Sequence, residues 1–368
     1  MEPYTFYLPT RLIFGPQSIK QFGDQLSGKF SSLLLVTGRS SAEKSGALSE
    51  VRKLTKGLDV AVYNEVEENP GFSTLERGAR MARDLHIDLV VGIGGGSPMD
   101  AAKGIAVLAK NDDGIEEYMA GKPLTQDPLP VVCIPTTSGS GSEATPYAVF
   151  TDVEKKDKGG YSHPGIFPIF SLIDPQLTYT MPEEVILNTG VDALTHALEA
   201  FLSTKSFPLN DAISLHAMEQ VVQYLPEAVD KKTASAMNHM SHASLTAGIA
   251  IAHAGTIVLH ALGYPLTVYH GIPHGRANAS MLPVFIKFIK TQSTAADKAD
   301  RLDRLWRRYG GIEGFLKTLG ISTRLSDYGV HEDEIEAFVS RTICKKNLTI
   351  TPAPVGEDTL RALYRDAL

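Results

Sequence analysis

Over the first half of the chain, short apolar runs rich in β-branched residues alternate with stretches of helical spacing. Residues 33–37, 60–64, 89–93, 131–134 and 170–173 read as strands, and 74–85 and 100–108 repeat their apolar positions at helical intervals. The order is therefore βαβα, which predicts a parallel sheet whose ligands gather at the carboxyl ends of the strands. After Met181-Pro182 the strand signals thin out and long helical patterns take over, among them 190–202 and 234–262. The predicted fold class is α/β: a parallel-sheet domain over residues 1–180, then an all-helical domain over 181–368. No Gly/Ser- or Pro-rich spacer separates them, so the two are expected to pack closely around a cleft.

Length agrees, since 368 residues exceed the usual size of one hydrophobic core. Hydrophobic residues at 43% and charged residues at 21% exclude a disordered or fibrous chain. A net charge of -7, with no basic run, excludes nucleic acid as a partner. Cys133 and Cys344 are the only cysteines and have no CxxC spacing, so neither a disulfide framework nor a thiolate metal site is expected and a cytoplasmic setting is. The N-terminus lacks the basic start and apolar run of a signal peptide. The long apolar segment 243–266 contains His253, His260 and several hydroxyls, and reads as a buried helix rather than a membrane span.

Candidate chemistry lies in both halves. The strand ending at Ile93 runs into Gly94-Gly95-Gly96-Ser97-Pro98-Met99-Asp100 and then a small-residue helix. Glycines let backbone N–H groups approach an anion, and Pro98 suits a first helical turn whose free N–H groups favour phosphate, though a tight turn without ligand has the same spacing. A second loop, Pro135-Thr136-Thr137-Ser138-Gly139-Ser140-Gly141-Ser142, offers many hydroxyl donors to phosphate or ribose, as a Ser/Thr-rich surface loop would. The first strand ends in Thr37-Gly38-Arg39-Ser40-Ser41, where an acid would bind a ribose 2′-OH. Gly38 and Arg39 stand there instead, which favours NADP(H) over NAD(H). In the second half Asp192 and His196 are four apart on one helical face, while His260 and His274 lie on separate segments. One carboxylate and three imidazoles suit Fe2+ or Zn2+, but Asp192 after Thr189 also fits a helix cap and each histidine could be a core residue.

Taken in order, Leu8-Pro9-Thr10 through Phe14-Gly15, the 94–103 and 135–143 motifs, Gly190-Val191-Asp192-Ala193-Leu194-Thr195-His196 and Pro273-His274-Gly275 resemble the iron-containing (group III) alcohol dehydrogenase family over nearly the whole chain. The resemblance implies a Rossmann-like domain followed by a helical one, the architecture shared with dehydroquinate synthase. It implies metal ligation by Asp192, His196, His260 and His274, and cofactor contacts from Asn69, Gly95, Gly96, Ser97, Asp100, Thr136, Thr137, Ser140, Thr145, Lys158 and Leu177. It further implies a small alcohol or aldehyde as substrate and a homodimer. Many members carry a further histidine four residues after the third ligand, where this chain has Tyr264, so Tyr264 and His270 become the candidate proton carriers. Gly38 stands where NAD-preferring relatives tend to have Asp. The expected activity is hydride transfer between a primary alcohol or diol and NADP(H) or NAD(H). The alternatives are a dehydroquinate synthase-like lyase or a polyol dehydrogenase with the same layout.

Overall fold

Side chains along a strand point alternately to opposite faces, so a sheet that is apolar at every position must be covered on both. In the computed structural model, which describes residues 3–26, 28–155 and 157–368, the strands are β1 (Arg11–Phe14), β2 (Ser32–Gly38), β3 (Asp59–Val66), β4 (Leu89–Gly94) and β5 (Val131–Pro135). An antiparallel hairpin of β6 (Tyr147–Asp152) and β7 (Asp157–Ser162) follows, then β8 (Phe170–Ile173). Six of them form one parallel sheet in the order β1-β8-β5-β4-β2-β3. Leu34, Val36, Val90, Val131 and Cys133 pack on one face against helices α1 (Phe72–Asp84) and α2 (Gly96–Leu108). Leu33, Leu35, Val91, Ile93, Val132 and Ile134 fill the other face with Phe22, Leu48 and Val51. The five expected strands are all present; β1 and the β6–β7 hairpin are additions to the sequence reading.

The second half is helical: α3 (Glu183–Leu202), α4 (Pro208–Lys231), α5 (Ala234–Ala254), α6 (Val258–His270) and α7 (His274–Gln292), with shorter helices beyond. The single helical pattern expected over 234–262 is two helices meeting at 114°. Gly255 ends α5 at φ +69°, a left-handed value suited to glycine, and Ile257 is extended. Among the described residues no single helix is long and apolar enough to cross a membrane.

Contacts group Leu8–Pro182 into one compact unit and Glu183–Leu368 into a second, which also includes the N-terminal segment ending at Tyr7. That segment is held by aromatic contacts. Tyr4 stacks on Phe207 at 4.4 Å and Phe6 on His253 at 4.1 Å, and the Tyr7 N–H donates to His253 Nε2 at 3.2 Å.

Candidate functional site

Helix α3 begins at Glu183, so Asp192 lies in its middle rather than at a cap, and Thr189 instead returns its hydroxyl to the Val185 carbonyl at 2.8 Å. Asp192, His196 and Glu199 then occupy one helical face at positions i, i+4 and i+7. His260 sits in the first turn of α6, and His274 is the first residue of α7 rather than part of the preceding loop. Gly275 makes the meeting possible: a Cβ there would lie 2.0 Å from the Asn188 carbonyl oxygen and 2.9 Å from Asp192 Cβ, so only glycine lets α7 start against α3.

The result is a convergence of donors. Asp192 Oδ1 lies 3.8 Å from His260 Nε2 and 3.9 Å from His274 Nε2. Ligand atoms of these three residues lie within 4.8 Å of one another. Two ligands about 2.1 Å from one ion are at most about 4.2 Å apart, so the two imidazole contacts of Asp192 have the spacing of a shared ion. His196 stands beside the trio, with Nδ1 3.9 Å from Asp192 Oδ2 and its ring stacked on His260 at 4.6 Å. Asp192 Oδ1 is buried without a hydrogen-bond partner, a condition rare for a carboxylate oxygen unless a cation satisfies it. Carboxylate and imidazole donors without thiolate fit Fe2+ or Zn2+.

Around the donors, Glu199 is fully buried. Its Oε1 accepts from the Ile257 and His260 N–H groups at 2.8 and 3.1 Å, and its Oε2 meets His260 Nδ1. Sequence reasoning passed over Glu199, although its spacing from Asp192 and His196 was the available signal. Tyr264 stacks on His274 at 5.4 Å and has Lys345 Nζ over its ring at 5.8 Å. His270, the other proton-carrier candidate, is engaged elsewhere, with Nε2 2.9 Å from Glu334 Oε1 and its ring edge-on to Phe338. Arg276 donates to Asn188 Oδ1 at 3.1 Å.

In the α/β unit the candidate cofactor residues gather at the carboxyl ends of the strands. A Cβ on Gly95 would lie 3.1 Å from Thr137 Oγ1, and one on Gly96 3.0 Å from Ser140 Cβ, so the two glycines keep the first turn of α2 bare beneath the hydroxyl loop. The Thr136 N–H donates to the Gly94 carbonyl at 2.8 Å and joins the loops. Asn69, at φ +56°, donates its N–H to Ser97 Oγ at 3.1 Å and accepts from Lys158 Nζ at 2.7 Å, which adds β7 to the cluster. Gly38 reaches the same end of the sheet, where a Cβ would stand 3.7 Å from Pro98; Arg39 and Ser40 are exposed, and Ser41 opens a short helix. This cradle suits a dinucleotide.

Three further candidates, Asp100, Thr145 and Leu177, have partners within the protein. Asp100 turns inward, accepting from Ser142 Oγ at 2.6 Å and the Val149 N–H at 2.8 Å, and burial raises its carboxyl above the usual range. Thr145 belongs with it to a buried network around Lys103, whose ammonium donates to the carbonyls of Ser142, Thr145 and Tyr147 at 2.7 to 2.9 Å. Leu177 packs into the core with Ile134 and Leu172. Lys103 and Glu143 were not anticipated; Glu143 is buried in the same network, and desolvation pushes its carboxyl up to about 7. These groups build the loop from behind.

Both halves match known proteins. Residues 9–175 match the family model described as iron-containing alcohol dehydrogenase, and 186–368 match the C-terminal model of the same family. The chain is 33% identical to long-chain-alcohol dehydrogenase 1 of Geobacillus thermodenitrificans, over 97% of this chain and 96% of that one. Its identity to 1,3-propanediol dehydrogenase of Klebsiella pneumoniae is 30%, over 99% and 98%. The crystal structure of an iron-containing alcohol dehydrogenase from Thermotoga maritima superposes with a TM-score of 0.92 at 38% identity, covering 100% of this chain and 99% of that one. The sulfoacetaldehyde reductase of Bifidobacterium kashiwanohense, solved in complex with NAD+, superposes at 0.89 with 28% identity, again over 100% and 99%. With an Asp–His donor set on three helices and a glycine-and-hydroxyl cradle at the sheet's carboxyl edge, the chain belongs to the iron-containing alcohol dehydrogenase family.

Proposed function

We propose that this oxidoreductase interconverts a small primary alcohol or diol and its aldehyde with NADP(H), at an Fe2+ or Zn2+ centre held by Asp192, His196, His260 and His274. The observation that carries the reading is the buried Asp192 Oδ1, without hydrogen-bond partner and 3.8 and 3.9 Å from two imidazole nitrogens. When bound, the ion supplies Lewis acidity to the substrate oxygen, and the nicotinamide gives or takes the hydride. The protein supplies the rest. Gly95, Gly96 and Ser97 offer the first turn of α2 to the pyrophosphate, and Thr136, Thr137 and Ser140 offer hydroxyls. Tyr264, stacked on His274, is the candidate proton carrier of this reading. NADP(H) is favoured because Gly38 and exposed Arg39 end β2 where an acid would bind a 2′-OH. Relatives named for long-chain alcohols and 1,3-propanediol support the alcohol and diol class. A cytoplasmic setting, in keeping with two free cysteines, and a homodimer complete the reading.

The test is reconstitution with Fe2+ or Zn2+ and assay with NADP+ and NAD+ against primary alcohols, diols and glycerol. Reduced nicotinamide should appear with the small alcohols, faster with NADP+, and His274→Ala should retain no metal. Absence of turnover across the panel, or full metal retention by His274→Ala, would refute the assignment.

A further inference from the structure

We propose that Glu199 is the positioning residue of this centre: its carboxylate fixes His260 with the proton on Nδ1, so that Nε2 turns its lone pair toward Asp192. The inference rests on the metal reading above and names a residue outside the ligand set.

Glu199 has no solvent exposure. Its Oε1 accepts from the N–H groups of Ile257 and His260 at 2.8 and 3.1 Å. Those groups belong to the start of α6, where backbone N–H groups have no partner within their own helix. Pinned there, the carboxylate presents Oε2 to His260 Nδ1. With Oε2 accepting as Oε1 does, the nitrogen facing it carries the proton, and a neutral imidazole then has its lone pair on the other nitrogen. That other nitrogen is Nε2, 3.8 Å from Asp192 Oδ1. One side chain from α3 thereby caps α6 and selects the tautomer of a ligand on it. A carboxylate behind a ligating histidine is a recurrent way of fixing ring and tautomer.

Glu199→Gln tests this on the full chain because it preserves shape and inverts the donor pattern. The glutamine oxygen can still accept the two backbone N–H groups, which leaves its NH2 against Nδ1 and drives the imidazole proton to Nε2. Zinc affinity measured by chelator competition should fall about 10- to 100-fold, with an unchanged circular dichroism spectrum. In the zinc-loaded wild type, imidazole nitrogen NMR should show His260 protonated at Nδ1, and that signal should vanish in the variant. Zinc bound by Glu199→Gln as tightly as by wild type overturns the proposal. So does a wild-type His260 protonated at Nε2, a measurement that stands even if the variant does not fold. A wild-type chain that takes up neither zinc nor iron overturns the metal reading and this inference together, whereas wild-type uptake with an indifferent variant overturns the inference alone.

Discussion

Asp192 and Glu199 lie two turns apart on α3, and their surroundings give them opposite tasks. Asp192 keeps an oxygen unsatisfied among imidazoles, while Glu199 spends both oxygens on the start of α6. A third buried carboxylate, Glu143, does neither; burial pushes it up to about 7, with Lys103 pulling the other way. The folded chain thus holds this proton more tightly than the unfolded one, whose glutamate titrates near 4.5. Its protonated form favours folding fully below that value, and the advantage, on the order of 3 kcal/mol, is lost as pH rises through about 7. Glu143→Gln keeps the shape and removes the titration. Its thermal midpoint should fall less than that of wild type between about pH 5 and about pH 7.5. Parallel profiles would show that Glu143 is not the group responsible.

At the scale of elements, the start of α7 against α3 determines whether His274 can reach Asp192. Gly275→Ala would place a methyl 2.0 Å from the Asn188 carbonyl oxygen, so the helices must part. We expect a loss of about 1–3 kcal/mol in denaturant unfolding, together with weakened zinc binding. An unchanged midpoint and affinity would mean that the contact is dispensable. Legibility followed the same geometry. Strands β2, β4 and β5 were readable because both their faces are buried and their apolar runs continuous. β1 was missed because it is a half-exposed edge of four residues, and β7 because Asp157-Lys158-Gly159-Gly160 has poor strand propensity and pairs only with its hairpin partner. The break between α5 and α6 has one local mark, Gly255, and one that no local pattern carries, the Ile257 N–H donated to Glu199 across 58 residues. Asp192 and His196 announced themselves by spacing. His260 and His274 were candidates from the residues, but their joining Asp192 was implied only by the family resemblance, because nothing local indicates that three helices converge.

At the scale of the molecule, the candidate metal donors all belong to the helical unit and the glycine cradle to the α/β unit. Saturating the donors with zinc at a hundredfold excess over its dissociation constant should stabilise that unit by about 2.7 kcal/mol, and stripping the metal should remove the gain. Hydrogen exchange should record the change mainly in α3, α6 and α7. Equal slowing in β2, β4 and β5 would contradict it.

The chain enters the α/β unit after Tyr7 and leaves it after Pro182, so the helical unit is built from two separated stretches of sequence. On the ribosome this sets an order of events. The partner of the Tyr7 N–H is 246 residues downstream, and at ~5–20 residues per second it emerges roughly 10–50 s later. Residues 8–182 can complete their sheet in that interval, while Tyr4 and Phe6 wait for Phe207 and His253 to be made. Seating of this aromatic strap therefore waits until residue 253 has been made, and its protection from protease during synthesis would time the arrival of Phe207 and His253.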